Sequence, residues 1–117
     1  MEEQDLEDVH HALVQQWGIG ALEPERIAKD ELIEALARRV RFLMSHDFER
    51  LLSGMYMIDV PEERFSEAVN LPEKDRPDLV IAELIFEREI QKMESRKRYA
   101  ARHDDAPIPL EDDPASS

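Results

Sequence analysis

Eight consecutive positions, Leu79-Val80-Ile81-Ala82-Glu83-Leu84-Ile85-Phe86, constrain this chain more than any others, because seven of them are apolar. Wound into an α-helix, seven apolar side chains in about two turns leave almost no polar face. Such a helix has to be surrounded, either by its own domain or by a second subunit. Pro77 suits the first turn of this helix, and the pattern runs on through Ile90 and Met93 to about Tyr99 or Arg102. The chain has 117 residues, enough for one core and not for two. The expected architecture is therefore a single helical domain over 1–102, frayed at 1–4, with this long helix at its centre.

The rest of the chain supplies helices to surround it. Leu6, Val9, Leu13, Val14 and Trp17 form one stripe over about 4–17, which Gly18-Ile19-Gly20 ends. A connector, 21–28, carries Leu22 and Ile27 toward the core. Leu32, Ile33, Leu36, Val40, Leu43 and Met44 form one face of a helix over about 29–45, with Asp30 placed to cap it. Phe48, Leu51, Leu52, Met55 and Tyr56 define a third helix over 48–57, and Asp47 or Ser45 can cap it. Asp59-Val60-Pro61-Glu62-Glu63 reads as the start of a short fourth helix, 61–69, that buries Phe65, Ala68 and Val69. The two prolines of 70–77 mark a loop. Three glycines and the complete absence of threonine argue against strands and their turns. The fold class is all-α, a compact bundle of about five helices.

The net charge of −13 resides at the two ends. Residues 1–25 hold seven acids and no Lys or Arg, and residues 103–117 hold five acids and no Lys or Arg, whereas the segment between is nearly neutral. The last segment, with Pro107, Pro109 and Pro114 among acids and small residues, reads as a disordered acidic tail. The acidic start is unlike a secretory signal. Runs such as Leu79–Ala82 are far too short to span a bilayer. No membrane association is expected, and a cytoplasmic location is.

Residues able to carry chemistry do not converge. Cysteine is absent, which excludes thiol catalysis and cysteine-ligated metals. His10 and His11 are adjacent, so on a helix they diverge by about 100° and cannot chelate one ion together. His46 and His103 have carboxylate neighbours but lie at a helix end and in the tail. No Gly-x-Ser-x-Gly elbow or glycine-rich phosphate loop occurs. No metal, cofactor or catalytic residue is assigned. Glu83 is the one carboxylate inside the most apolar segment; it either faces out or pairs, or else is a buried acid serving a ligand-binding or enzymatic pocket. Arg96, Lys97, Arg98 and Arg102 form the candidate basic surface for a nucleic-acid-associated factor, although cations also suit a helix C-terminus and acidic ends flank them. Met55, Tyr56, Met57 and Ile58 are four large apolar residues in succession, more than one helix face hides, and form the candidate interaction patch.

The segments Asp47-Phe48-Glu49-Arg50-Leu51-Leu52 and Tyr56-Met57-Ile58-Asp59-Val60-Pro61-Glu62 precede Ile81-Ala82-Glu83-Leu84-Ile85 and Glu87-Arg88-Glu89-Ile90-Gln91-Lys92. Over about 30–97 this pattern resembles a family of small uncharacterised bacterial α-helical proteins with no established activity. The resemblance implies a bacterial, helical, cytoplasmic protein and transfers no catalytic residue. The functional expectation is a non-enzymatic protein-interaction or regulatory protein whose partner is another protein. Nucleic acid is the less favoured partner, and a homodimer would be a second way of covering residues 79–86.

Overall fold

The computed structural model describes residues 3–105. Helices α1 (Glu3–Ala12), α2 (Lys29–His46), α3 (Phe48–Met57), α4 (Glu62–Val69) and α5 (Pro77–Asp105) succeed one another, with a single π turn at Leu13–Trp17 and 3₁₀ turns at Pro24–Arg26 and Glu73–Asp75. There is no strand among the described residues, and the expected all-α bundle of five helices with a long C-terminal one is observed. α5 extends to Asp105, three residues past the expected limit. Met1, Glu2 and residues 106–117, with most of the expected acidic tail, lie outside the described residues. None of the helices is long and apolar enough to cross a membrane among the described residues.

α5 lies along α2, flanked by α4 and α1. Ile81, Ala82, Leu84, Ile85 and Phe86 are buried, and Leu79 and Val80 are half-buried against the same core. The single chain thus covers most of the apolar surface of residues 79–86. Burying a Leu, Ile or Phe side chain contributes roughly 1.5–3 kcal/mol, so this segment with Leu32, Leu36, Val40 and Leu43 of α2 supplies a large share of the core. One of the start signals acts otherwise than its spacing suggested. Ala28 is the N-cap of α2, and Asp30 sits in the first turn, where its charge meets the helix dipole. Asp47 does cap α3, its carboxylate accepting the Arg50 N–H at 3.2 Å.

The first helical stretch is not continuous. After Ala12 the chain widens into the π turn, and Gly18, at φ +75°, ends it by donating its N–H to the Val14 carbonyl. A π turn inserts one residue into the helical register and redirects the side chains beyond it. Here it delivers Trp17 into the core, 3% exposed, with its indole lying across α3 at Gly54. A Cβ at Gly54 would stand 2.8 Å from Trp17 Cζ3 and nearer still to Cη2. The helix therefore tolerates a mid-helix glycine because the indole needs the space. In an uncrowded helix, glycine to alanine stabilises by about 1 kcal/mol. Gly54→Ala is expected to reverse that sign and destabilise by roughly 1–3 kcal/mol, the usual cost of overpacking, as read by urea denaturation.

Candidate functional site

The carboxylate singled out from the sequence is not the buried one. Glu83 is exposed, so it is no buried acid in a pocket. Glu87, four residues later on the same face of α5, is exposed too. The buried acids are Asp78 and Glu89. Asp78, in the first turn of α5, accepts hydrogen bonds from Arg41 at 3.4 Å and Arg76 at 3.3 Å, while its other oxygen is buried without a partner among the described residues. Arg76 also meets both oxygens of Glu34 at 3.5 Å. Those hydrogen bonds, Glu34 first and Asp78 second, hold the Arg76 guanidinium above its usual value. The group clamps the start of α5 onto α2. Glu89 is 2% exposed and accepts the Trp17 indole N–H at 3.2 Å. Each buried acid is held by structural partners.

The histidines are placed apart. His10 accepts the Leu22 N–H at 2.9 Å and pins the connector; His46 stacks on Phe42, with ring centroids 4.4 Å apart; His11 is exposed. Among the described residues no three His, Asp or Glu side chains are grouped to hold a metal ion. Arg96, Lys97 and Arg98 are exposed on the C-terminal half of α5, as a basic surface requires. Lys97, however, is paired with Asp5 of α1, and Arg98 donates to Ser95 at 3.4 Å. Asp8 of α1 lines the same cleft as Arg96 and Lys97, so carboxylates offset this basic end. The fourth member, Arg102, belongs to the last turns of α5, and its side chain and those of His103, Asp104 and Asp105 lie outside the described part of the molecule.

The four residues of the candidate interaction patch divide. Leu51, Met55 and Ile58 recur at helical spacing and are buried, whereas Tyr56 and Met57 are exposed. The split results from how α3 ends. Asp59 takes a left-handed conformation at φ +66°. Its N–H bonds the Tyr56 carbonyl and that of Val60 bonds the Met55 carbonyl, each at 3.1 Å. This is the Schellman closure, in which the residue after the left-handed position contacts the last turn of the helix, here Val60 with Met55. Asp59 thus closes α3 where the spacing suggested that it would cap α4; Pro61 is the N-cap of α4. From α5, Arg88 Nε donates to the Ile58 carbonyl at 2.7 Å and fixes the corner from behind.

The corner leaves a groove of about 270 Å³ between α3 and α4. Its apolar lining is Leu52, Met55, Tyr56, Val60, Pro61 and Phe65, and its charged lining is Asp59 and Glu62, with no basic residue. Phe48 stacks on Phe65 with ring centroids 6.0 Å apart and extends the aromatic surface beside it. A second, smaller cleft of about 210 Å³ on the α5 side mixes Asp59 and Glu87 with Arg64 and Arg88. Neither Asp78 nor Glu89 lines the groove or this cleft. Comparison of the chain with protein-family models, with curated proteins and with solved structures finds no match.

Sequence reasoning overlooked Glu89 although the register of α5 contains it. Ala82, Ile85 and Phe86 precede it by seven, four and three residues, Met93 lies four beyond it, and all are buried. Trp17→Phe is expected to cost about 3 kcal/mol, because it leaves the buried Glu89 carboxylate unpaired. Glu89→Gln, which keeps an accepting oxygen and removes the charge, is expected to cost less than half as much. Thermal unfolding of the two variants, monitored by circular dichroism, gives the comparison.

Proposed function

We propose that this protein works by binding another protein, through the groove between α3 and α4 and the exposed side chains at its edge. The observation that carries this reading is the exposure of Tyr56 and Met57, 64% and 82%, beside an apolar groove at whose edge Phe48 is exposed as well. Large apolar side chains set next to an apolar groove, ringed by charge, are the make-up of an interaction site more than of a solvated face. Methionine suits such a surface because its unbranched side chain adapts to the partner. Support also comes from the chemistry of the buried groups. Asp78 and Glu89, the acids most shielded from water, are engaged by Arg41, Arg76 and Trp17 and stand away from the groove, which favours a binding role over a catalytic one.

The experiment is a pull-down from native lysate with the full chain as bait, washed at high salt, run beside the double variant Tyr56→Ser/Met57→Ser. Both positions are exposed, so the variant should unfold within about 0.5 kcal/mol of the parent. The expected result is a stoichiometric protein retained by the parent and lost, at least tenfold, by the variant. Retention by both would move the interaction away from this groove, and the proposal would be wrong.

A further inference from the structure

We infer that the occupant of the α3–α4 groove is a cationic amphipathic segment of a different protein, apolar side chains in the groove and Lys or Arg against its acidic rim. The inference rests on the reading of that groove as a protein-binding site and adds the partner's chemistry. Charge complementarity carries it. Both charged residues of the groove, Asp59 and Glu62, are acids, and neither has a hydrogen-bond or ion-pair partner for its side chain among the described residues. Their surroundings add to this sign: Glu63 and Glu67 of α4 are exposed, against one exposed base on that helix, Arg64.

The identity of residue 59 is consistent with this sign, aspartate being among the few residues besides glycine that adopt the left-handed conformation. A left-handed position at a helix end is most easily filled by glycine, because a side chain there meets the backbone. Here it bears a carboxylate at the edge of the groove instead, in a turn already closed by the Val60–Met55 hydrogen bond and by Arg88. The carboxylate is not required for the turn; at the groove it supplies a fixed negative charge. An anionic partner would face both carboxylates there, with Arg64 and Arg88 turned to the cleft on the other side of Asp59, and such repulsion is as much a determinant of specificity as attraction.

Occupants from the chain itself fit less well. Residues 106–117 carry Glu111, Asp112 and Asp113 and no base, the same sign as the groove. The basic end of α5 on a second copy has the right sign, but Lys97 is engaged by Asp5 and Asp8 shares the cleft with Arg96. A segment from another protein meets neither difficulty.

The test uses the full chain and two fluorescein-labelled amphipathic peptides, one built of leucine and lysine and its twin with every lysine replaced by glutamate. Fluorescence polarisation is read at physiological ionic strength, where screening limits charge effects to about 8 Å. The lysine peptide is expected to bind at least tenfold more tightly than the glutamate peptide. Asp59→Asn/Glu62→Gln should weaken it roughly threefold to tenfold, as expected for two exposed charge pairs, while Glu3→Gln/Glu7→Gln on α1 should leave it unchanged. Asp59→Gly separates the charge from the fold: its melting temperature should rise as the affinity falls. Failure of the lysine peptide to bind, equal affinity for both peptides, or equal loss from the α1 pair would overturn the inference. So would sedimentation showing a dimer that Asp59→Asn/Glu62→Gln dissolves, which would make the occupant a second copy. The peptide outcomes leave the parent reading untouched, since it stands or falls on Tyr56 and Met57 in the lysate experiment; only the dimer outcome would displace it as well.

Discussion

A single buried hydrogen bond, from the Trp17 indole to Glu89, sets the terms on which the rest of this bundle packs. A carboxylate enclosed in an apolar core is costly unless a donor reaches it, and Glu89 lies in the buried stripe of α5 between Phe86 and Met93. The donor comes from a residue 72 positions earlier in the chain. To bring it there, the chain opens a π turn after Ala12, turns sharply at Gly18, and leaves a glycine on α3 beneath the indole ring. Arg39 completes the arrangement, its Nε donating to the Trp17 carbonyl at 2.9 Å from α2. One residue thereby ties α1, α2, α3 and α5 together. A hydrogen bond to a charged group contributes about 1.5–3 kcal/mol, but the greater effect is on uniqueness, since a sliding helix would strand the carboxylate.

The same helix that holds Glu89 also holds the α3–α4 corner. Arg88, the next residue back, points to the other side of α5 and donates to the Ile58 carbonyl. Adjacent residues on a helix diverge by about 100°, so α5 reaches Trp17 with one side chain and the corner with its neighbour. At its N-terminus Asp78 and Arg76 lock α5 to Glu34 and Arg41 of α2. The central helix is thus fixed at its start and its middle, and the groove is built on a part of the molecule with little freedom to move.

How much of this could be read in advance varies with the range of the interaction. Local signals were sufficient for the helices: the stripes of α2 and α3, the Asp47 cap and the encircling apolarity of 79–86 each act within a few residues. The π turn left no such signal in Leu13-Val14-Gln15-Gln16-Trp17, because the distance from Trp17 to Gly54 and Glu89, set by tertiary packing, selects it. Asp59 carried an ambiguous one, since aspartate serves both at helix starts and in left-handed closures, and the neighbouring Val60–Met55 bond decided between them. Glu83 drew notice through its apolar neighbours in sequence, whereas residues three, four and seven apart are the neighbours in space; that criterion selects Glu89. It also divides the candidate patch, sending Met55 and Ile58 inward with Leu51 and leaving Tyr56 and Met57 outside.

Asp59 brings these ranges together. Its left-handed backbone persists because the surroundings over-determine it: the Tyr56 and Met55 carbonyls accept from the turn, and Arg88 holds the preceding carbonyl. Strain of this kind survives only where a structure supports it. A corner so supported is already in shape before anything binds, so an incoming segment would not have to order it, and the ordering cost that weakens association at flexible sites is reduced. On the proposed reading the stiffness of the corner and the exposure of Tyr56 and Met57 are complementary. The rigid turn fixes where the groove and its carboxylates lie, and the two exposed side chains at its edge, one aromatic and one thioether, adapt to the segment that enters.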